Sequence, residues 1–166
     1  MQPTYDGALW FSEGLAPVSA NGRASFINTA GELVIQGTYD EAGWFSEGLA
    51  AARQQDRWGF INTTGGWVIE AKYTAAGWFS EGLAPVSVDG KWGFVNTSGE
   101  MAIQPTYDEA RSFNEGLAAV QVGDRWGFIN TSGELVVQPT YDGVFPFVDV
   151  GAQQVDLRVL MMLLDV

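Results

Sequence analysis

The same short phrase returns along this chain at a constant interval of 34 residues. FSEGLA occupies residues 11–16, 45–50 and 79–84, and FNEGLA occupies residues 113–118. Tyrosines, glycines and basic residues keep the same interval: Tyr5, Tyr39, Tyr73, Tyr107 and Tyr141; Gly31, Gly65, Gly99 and Gly133; Arg23, Arg57, Lys91 and Arg125. No insertion or deletion interrupts the phase between residues 2 and 142, which hold four full units and part of a fifth. Such a period predicts units that bury their apolar surfaces against one another.

The third unit predicts a β-hairpin. Asp89-Gly90 suits a type I′ turn, in which both central residues take positive φ, so strands are expected at Leu83–Val88 and Lys91–Asn96. The equivalent pairs are Asn21-Gly22, Gln55-Asp56 and Gly123-Asp124, of which Gln55-Asp56 suits the turn poorly. Each unit is therefore expected to contain this hairpin.

A second turn and a third strand complete the predicted unit. Gly99 is placed to take the left-handed conformation in the turn after the hairpin. The third strand, Glu100–Gln104, is expected to end at Pro105, because proline has no N–H to donate to a strand ladder. Each unit is then a three-stranded meander followed by a connection, and helical spacing occurs only near the C-terminus.

Hairpin register places apolar residues on both faces of the predicted sheet. Trp92 and Phe94 lie on one face, whereas Ala84 and Gly93 lie on the other. A sheet with two apolar faces must be covered on both sides, which only neighbouring units can do. Large residues of one unit are expected to interlock with small residues of the next. Gly93, like Gly59 and Gly127, is interpreted as leaving room for an aromatic ring of the neighbour.

The predicted fold is all-β, with tandem 34-residue meanders stacked as an open β-solenoid or superhelix. A small closed, propeller-like ring is the alternative. Residues 1–150 are expected to form the repeat domain, with the remainder, 151–166, outside the repeat. This tail has roughly helical apolar spacing, so it is predicted to be a short cap or an oligomer contact.

Three phrases resemble the WG-repeat family, also called KWG repeats: RWGFINTTG at 57–65, KWGFVNTSG at 91–99 and RWGFINTSG at 125–133. The resemblance covers residues 2–147, and the first unit departs from it because Ala24-Ser25 stands where Trp-Gly belongs. The family is mainly bacterial and has no general enzymatic activity. The resemblance therefore implies a non-enzymatic scaffold or binding repeat.

The composition limits the chemistry and the partners of the chain. It has no Cys and no His, so thiolate nucleophiles, usual zinc sites and imidazole catalysis are absent, and no cofactor is expected. A net charge of −12 disfavours nucleic acid and anionic membranes as partners. The N-terminus shows no signal peptide pattern and no apolar run is long enough for a transmembrane segment, so the cytoplasm is the default expectation.

Residues that recur once per unit are interpreted as structural. The glutamates are expected to pair with the recurring basic residues or to make hydrogen bonds in loops, and the aspartates after tyrosine to cap turns. The tryptophans are expected to pack in the core. These series are Glu13, Glu47, Glu81 and Glu115; Asp6, Asp40, Asp108 and Asp142; and Trp10, Trp44 and Trp78.

Departures from the repeat are better candidates for a contact surface, because packing alone does not require them. The candidates are Arg53, Gln54, Trp67, Lys72 and Arg111. The function expected is a non-enzymatic scaffold that binds a protein or peptide. A carbohydrate-binding aromatic array is the first alternative, and a hydrolase using paired carboxylates is the second.

Overall fold

The computed structural model describes residues 5–144, which form four antiparallel sheets of four strands each. Sheet 1 contains β1 (Gly7–Ala8), β2 (Leu15–Ala20), β3 (Arg23–Asn28) and β4 (Leu33–Tyr39). Sheet 2 contains β5 (Glu41–Ala42), β6 (Leu49–Gln54), β7 (Arg57–Asn62) and β8 (Trp67–Tyr73). Sheet 3 contains β9 (Ala75–Ala76), β10 (Leu83–Val88), β11 (Lys91–Asn96) and β12 (Met101–Tyr107). Sheet 4 contains β13 (Glu109–Ala110), β14 (Leu117–Val122), β15 (Arg125–Asn130) and β16 (Leu135–Tyr141).

The predicted meander and its first two strands are confirmed. Strands β10 and β11 have the predicted bounds, and Pro85 lies opposite Phe94 as the turn register requires. Asp89 and Gly90 both take positive φ, at 49° and 82°. Gln55 and Asp56 take positive φ as well, at 52° and 62°, although glutamine adopts that conformation less readily than aspartate. The turn is therefore imposed by the strands that flank it.

The third strand is longer than predicted. Strand β12 runs from Met101 to Tyr107 and so continues past Pro105. The prediction stopped at the proline because a ladder there would lack a donor. Strand β12 is the edge of its sheet, in the order β12-β11-β10-β9, and an edge strand tolerates proline on its unpaired side. The turn before it is as predicted, with Gly99 at φ 86°.

Each sheet gains a short fourth strand from the connection between units. The two-residue strands β5, β9 and β13 pair with the first hairpin strand of their own sheet. A single residue separates each from the last strand of the preceding sheet: Asp40, Thr74 and Asp108. One extended segment therefore leaves one sheet and enters the next almost without a loop.

Successive sheets interlock as the sequence predicts. Between sheets 2 and 3, the face of sheet 2 that carries Phe60 packs against Ala84, Val86 and Val95 of sheet 3. Phe79, from the FSEG phrase between β9 and β10, inserts between the two sheets with its ring centroid 4.8 Å from that of Phe60. The same arrangement joins sheets 1 and 2 through Phe26 and Phe45, and sheets 3 and 4 through Phe94 and Phe113.

The array is an open stack. Within residues 5–144, no core cluster, hydrogen bond or ion pair joins sheet 1 to sheet 4, and Phe11 is 49% exposed although its counterparts are buried. The solenoid prediction therefore holds. The predicted cap or oligomer contact at 151–166 lies outside the described residues, as does the end of the fifth unit.

Gly93 was expected to leave room for an aromatic ring of the neighbouring unit, and this explanation is wrong. A Cβ atom on Gly93 would lie 2.7 Å from the nitrogen of Pro105 and 2.8 Å from the carbonyl carbon of Gln104. These are backbone atoms of β12 in the same sheet, where the register of β11 and β12 shifts. Gly59 and Gly127 meet the equivalent backbone atoms of β8 and β16. The glycines therefore permit close approach of the outer strand, and no neighbouring ring fills their space.

In the first unit the glycine lies on the other strand of the pair, β4 instead of β3. Ser25 occupies the position of Gly93, and Gly37 occupies the position of Pro105. A Cβ atom on Gly37 would lie 2.6 Å from the hydroxyl oxygen of Ser25, so the missing side chain on β4 makes room for the serine on β3. The departure at Ala24-Ser25 is thus compensated across the strand pair, independently of any effect of the chain end.

Candidate functional site

The FSEG phrases form hydrogen bonds between units. Ser12 and Leu15 bond to each other through their backbones, so Glu13-Gly14 is a two-residue turn with φ values of 51° and 79°. The Ser12 hydroxyl donates to the carbonyl of Phe45 at 2.6 Å, and the Glu13 carboxylate accepts from the N–H of Gly48 at 2.9 Å. Each turn therefore binds the corresponding turn of the next unit.

This ladder of turns explains the glutamate series. Glu47 accepts from the N–H of Gly82, and Glu81 accepts from that of Gly116, each at 2.9 Å. The expectation of loop hydrogen bonds is confirmed, whereas the pairing with the recurring basic residues is wrong. Three of those basic residues, Arg23, Lys91 and Arg125, instead pair with the aspartate that follows tyrosine in their own unit. Three of the four recurring glutamates are thus engaged in holding adjacent units together.

The aspartates link two units. The Asp40 carboxylate pairs with Arg23 at 2.7 Å and also accepts from the N–H of Gln55 at 3.0 Å, in the hairpin turn of the next sheet. Asp108 does the same with Lys91 and the N–H of Gly123. The predicted turn cap is therefore confirmed for Asp40 and Asp108, and it is combined with an ion pair. The hydrogen bond from Lys91, with that from Gly123, holds the pKa of Asp108 below its ordinary value, while desolvation opposes the shift.

We expect Lys91→Met to raise the pKa of Asp108 toward the ordinary value, because it removes the largest cause of the shift. A carboxyl whose pKa is lower in the folded chain stabilises the fold above its unfolded pKa, and that contribution is lost as the pH falls through the folded pKa. Carboxyl-carbon NMR titration of the wild type and the variant measures the shift. The same titration midpoint in both proteins would rule out Lys91 as its cause.

The tryptophan series forms a row beside the short first strands of sheets 1 to 3, β1, β5 and β9, which we call the inner strands; each tryptophan follows one of them by two residues. The ring centroids of Trp10 and Trp44 are 4.8 Å apart, and those of Trp44 and Trp78 are 5.1 Å apart. Trp10 is 61% exposed and Trp78 is 46% exposed, so the expectation of core packing is wrong for these two. Ser112 ends the row, and its hydroxyl donates to the carbonyl of Trp78 at 2.8 Å.

A groove of about 550 Å³ opens beside this row, along the inner strands of sheets 1 to 3. Three indoles line it, those of Trp44, Trp58 and Trp78. Much of the remaining lining is small and apolar, and Ser19, Asp40 and Glu41 add polar groups. Gly43 has no side chain, and the nearest atom to where its Cβ would lie is 3.9 Å away, so ligand atoms can approach the backbone there. We call this feature the tryptophan groove.

The structure places three of the predicted site residues near one end of sheet 2. Arg53 and Gln54 end β6, and Lys72 lies near the end of β8, where Tyr73 is opposite Trp58. Arg53 pairs with Glu41 at 2.7 Å and with Asp56 at 3.4 Å, and Glu41 also lines the tryptophan groove. Arg53 therefore adjoins the groove through Glu41, whereas Gln54 and Lys72 lie at the same end of the sheet without a shown contact to the groove.

The other two predicted residues lie elsewhere. Trp67 is half-buried at the opposite end of sheet 2, where it packs against the core between sheets 1 and 2 and makes an edge contact with Tyr39. Arg111 belongs to the inner segment of sheet 4, with its guanidinium 5.3 Å from the ring centroid of Trp126. The five residues therefore do not form one site, and their role in binding stays a prediction.

Sequence reasoning missed the groove residues Trp44, Trp58 and Trp78. Trp44 and Trp78 belong to the recurring series that was interpreted as core, with an aromatic binding array as the alternative, and the period does not show which members of a series face solvent. Burial raises the pKa of the phenols of Tyr39 and Tyr107, and the hydroxyl of Tyr39 donates to the carbonyl of Gly65 in the next unit.

Stacked four-stranded units joined by a recurring turn define the chain as a β-repeat array. The family model of the WG containing repeat matches residues 2–23, 25–58, 58–92, 92–126 and 126–151. The chain belongs to the WG-repeat family. No curated protein sequence matches it.

Two solved structures of Hsv2 from Kluyveromyces lactis are similar in fold. One, with loop 6CD replaced by a Gly-Ser linker, matches with a TM-score of 0.59 and 11% identity, over 81% of this chain and 52% of its own. The other, with the complete loop 6CD, matches with a TM-score of 0.59 and 12% identity, over 81% of this chain and 50% of its own. This chain therefore corresponds to about half the length of those proteins, and the likeness concerns the fold alone.

The described residues show neither an acidic cluster for a metal ion nor a membrane-spanning helix. In the part of the chain from 5 to 144, no three acidic side chains gather in a way that could hold a metal ion. The same range has no helix of the length and apolarity needed to cross a membrane.

Proposed function

We propose that this chain is a non-enzymatic scaffold whose tryptophan groove binds an extended peptide or protein segment. The groove itself carries the proposal, because it combines three indoles with small residues beside accessible backbone. Tryptophan is among the residues that contribute most to protein interfaces. A groove that follows the inner strands of three successive sheets suits an extended ligand better than a compact one.

The placement of the carboxylates supports a non-enzymatic role. Glu13, Glu47 and Glu81 hold the turns of adjacent units together, and Asp40 and Asp108 are in ion pairs. Paired catalytic carboxylates need one group to donate a proton and another to act as base or nucleophile. Carboxylates that are held in structural contacts of this kind are poorly suited to this division of roles.

Carbohydrate binding is the second candidate, and the row of Trp10, Trp44 and Trp78 is the observation that favours it. Neighbouring indoles in this row are tilted by 37° and 42° and contact one another. A sugar stacks on an open indole face, which mutual packing partly covers. We therefore place peptide binding first. If the wild type binds glycans on an array and Trp78→Ser abolishes that binding, carbohydrate binding would take first place instead.

We expect Trp78→Ser to weaken peptide binding at least about tenfold, because tryptophan truncation in an interface commonly exceeds the 1.4 kcal/mol that a tenfold change represents. Serine occurs naturally at the equivalent position, Ser112, so the variant should fold. Peptides selected from a displayed random library on the wild type are measured by fluorescence anisotropy against both proteins.

Trp10→Ser is the matched control for this experiment. It makes the same substitution in the same row, but Trp10 does not line the groove. It should retain affinity within about threefold of the wild type, a smaller change than one lost contact in a binding hot spot produces. Equal losses in both variants would show that the groove is not the binding site. A library from which no peptide is enriched would count against peptide binding altogether.

A further inference from the structure

The second unit lacks an ion pair that the other three units have. Arg23 pairs with Asp40, Lys91 pairs with Asp108, and Arg125 pairs with Asp142. In the second unit the basic residue is Arg57, but the position of the aspartate holds Thr74. The Thr74 hydroxyl donates to the carbonyl of Ser87 at 3.0 Å instead. Arg57 therefore faces no carboxylate at the place where its counterparts are neutralised.

The same unit adds a second positive charge beside the first. Lys72 stands where the other units have a threonine, at Thr38, Thr106 and Thr140. In units 1 and 4 the guanidinium donates to the carbonyl of this threonine, at 3.3 Å from Arg23 and 3.2 Å from Arg125. These contacts are made by the backbone carbonyl, so they place the backbone at this position, and not its side chain, beside the basic residue. The Lys72 side chain is exposed, with its ammonium 5.3 Å from the ring centroid of Tyr73.

Neighbouring acidic groups leave these two cations available. Glu41 and Asp56 are paired with Arg53, and Asp40 is paired with Arg23. Glu70 precedes Lys72 by two residues on β8 but forms no ion pair within residues 5–144. In the same range, neither Arg57 nor Lys72 pairs with a carboxylate. The whole chain has eight basic residues against twenty acidic ones, so two adjacent cations without a partner are a local exception.

We propose that Arg57 and Lys72 bind an acidic side chain of the peptide that occupies the tryptophan groove. The inference rests on the proposed function and specifies the ligand: an apolar residue in the groove, followed within one or two positions by Asp or Glu. Arg57 and Trp58 are consecutive residues of β7, and Trp58 lines the groove. Side chains of consecutive strand residues point to opposite faces of the sheet, so a ligand reaches both residues by passing over this end of sheet 2. In unit 1 the Arg23 guanidinium reaches Asp40, which lines the groove. Arg57 begins the equivalent strand of unit 2, where Thr74 replaces that aspartate two residues before the lining residue Ala76. A guanidinium matches a carboxylate in a bidentate geometry.

The test repeats the displayed-peptide selection on three proteins. The first is the wild type, the second is Thr74→Asp, and the third is Thr106→Lys combined with Asp108→Thr. Thr74→Asp restores the ion pair that the other three units have, so it should fold with an unchanged or raised melting temperature. The third protein transfers the Lys-Tyr-Thr sequence of the second unit to the third.

We expect wild-type selections to be enriched in Asp or Glu next to an apolar residue, and Thr74→Asp selections to lose that enrichment. A synthetic peptide from the wild-type selection should bind Thr74→Asp at least tenfold more weakly, and its Glu→Gln form should bind both proteins equally. The transferred sequence in unit 3 should gain affinity for acidic peptides.

The outcomes separate this inference from the proposed function. Enrichment of apolar residues without acidic ones, sensitive to Trp78→Ser, would leave the groove as a peptide site and overturn the role of Arg57 and Lys72. Acidic enrichment that persists in Thr74→Asp would overturn it as well. If no peptide is enriched on any protein, both proposals fail together.

Discussion

Replacing Gly93 by valine should lower the free energy of unfolding by about 3 kcal/mol or more, at the upper end for overpacked sites. The first added atom would lie 2.7 Å from the Pro105 nitrogen, and backbone cannot move aside as a flexible side chain can. Strand β12 would have to separate from β11. Urea unfolding followed by both circular dichroism and tryptophan fluorescence measures the loss, since two probes test whether the array unfolds in one step.

Gly43→Ala is the control for this prediction. A Cβ atom on Gly43 would have its nearest neighbour at 3.9 Å, an ordinary van der Waals contact. Its effect should stay within about 0.5 kcal/mol. A compensating variant follows from the first unit, where Ser25 faces Gly37: Pro105→Gly should recover part of the loss caused by Gly93→Ser. An unchanged melting temperature in Gly93→Val would contradict the close-approach explanation.

Phe79→Ala should lower the free energy of unfolding by about 3–5 kcal/mol, the range for removing a fully buried phenylalanine. The ring is inaccessible to solvent, contacts Phe60 and lies between sheets 2 and 3. Removing the ring leaves a cavity where the two sheets meet. The loss of stability should therefore be concentrated at the junction between units 2 and 3. Denaturant unfolding gives the magnitude, and hydrogen exchange of the β10 and β11 amides shows where the protection is lost.

The same motif supplies a control at the exposed end. Phe11 occupies the first position of the first FSEGLA phrase and is 49% exposed. Phe11→Ala should therefore lower the free energy of unfolding by about 1 kcal/mol, because little buried area is lost. Equal losses at Phe11 and Phe79 would mean that the phenylalanine acts within its own turn and does not join neighbouring sheets.

The sequence was sufficient for the unit and its stacking, because both depend on local rules. Turn chemistry at Asp89-Gly90 determined the bounds of β10 and β11, and alternation of large and small residues predicted which faces meet. The proline rule ended β12 too early because it needs to know which strand is an edge. The short inner strands escaped detection because two residues carry no periodic pattern.

The site was predicted less well than the fold. Departures from the repeat identified Arg53 and Lys72, which lie near the groove, but also Trp67 and Arg111, which do not. The loss of aspartate at Thr74 was visible in the sequence. Its importance depended on knowing that this aspartate neutralises the recurring basic residue, and sequence reasoning had assigned that role to glutamate. A repeat shows which residues differ, whereas only contacts show which partner each has lost.

The single-residue connections between sheets have a consequence for how such arrays grow. Within residues 5–144, no hydrogen bond between side chain and backbone spans more than 35 residues, about one unit. Each junction is therefore complete once the next unit has been synthesised, and adding a unit creates one more junction of the same kind. Duplication of a single 34-residue segment would lengthen the array without a new interface having to evolve. A unit duplicated in this way is then free to lose a charge such as that of Asp108 and gain a ligand of its own.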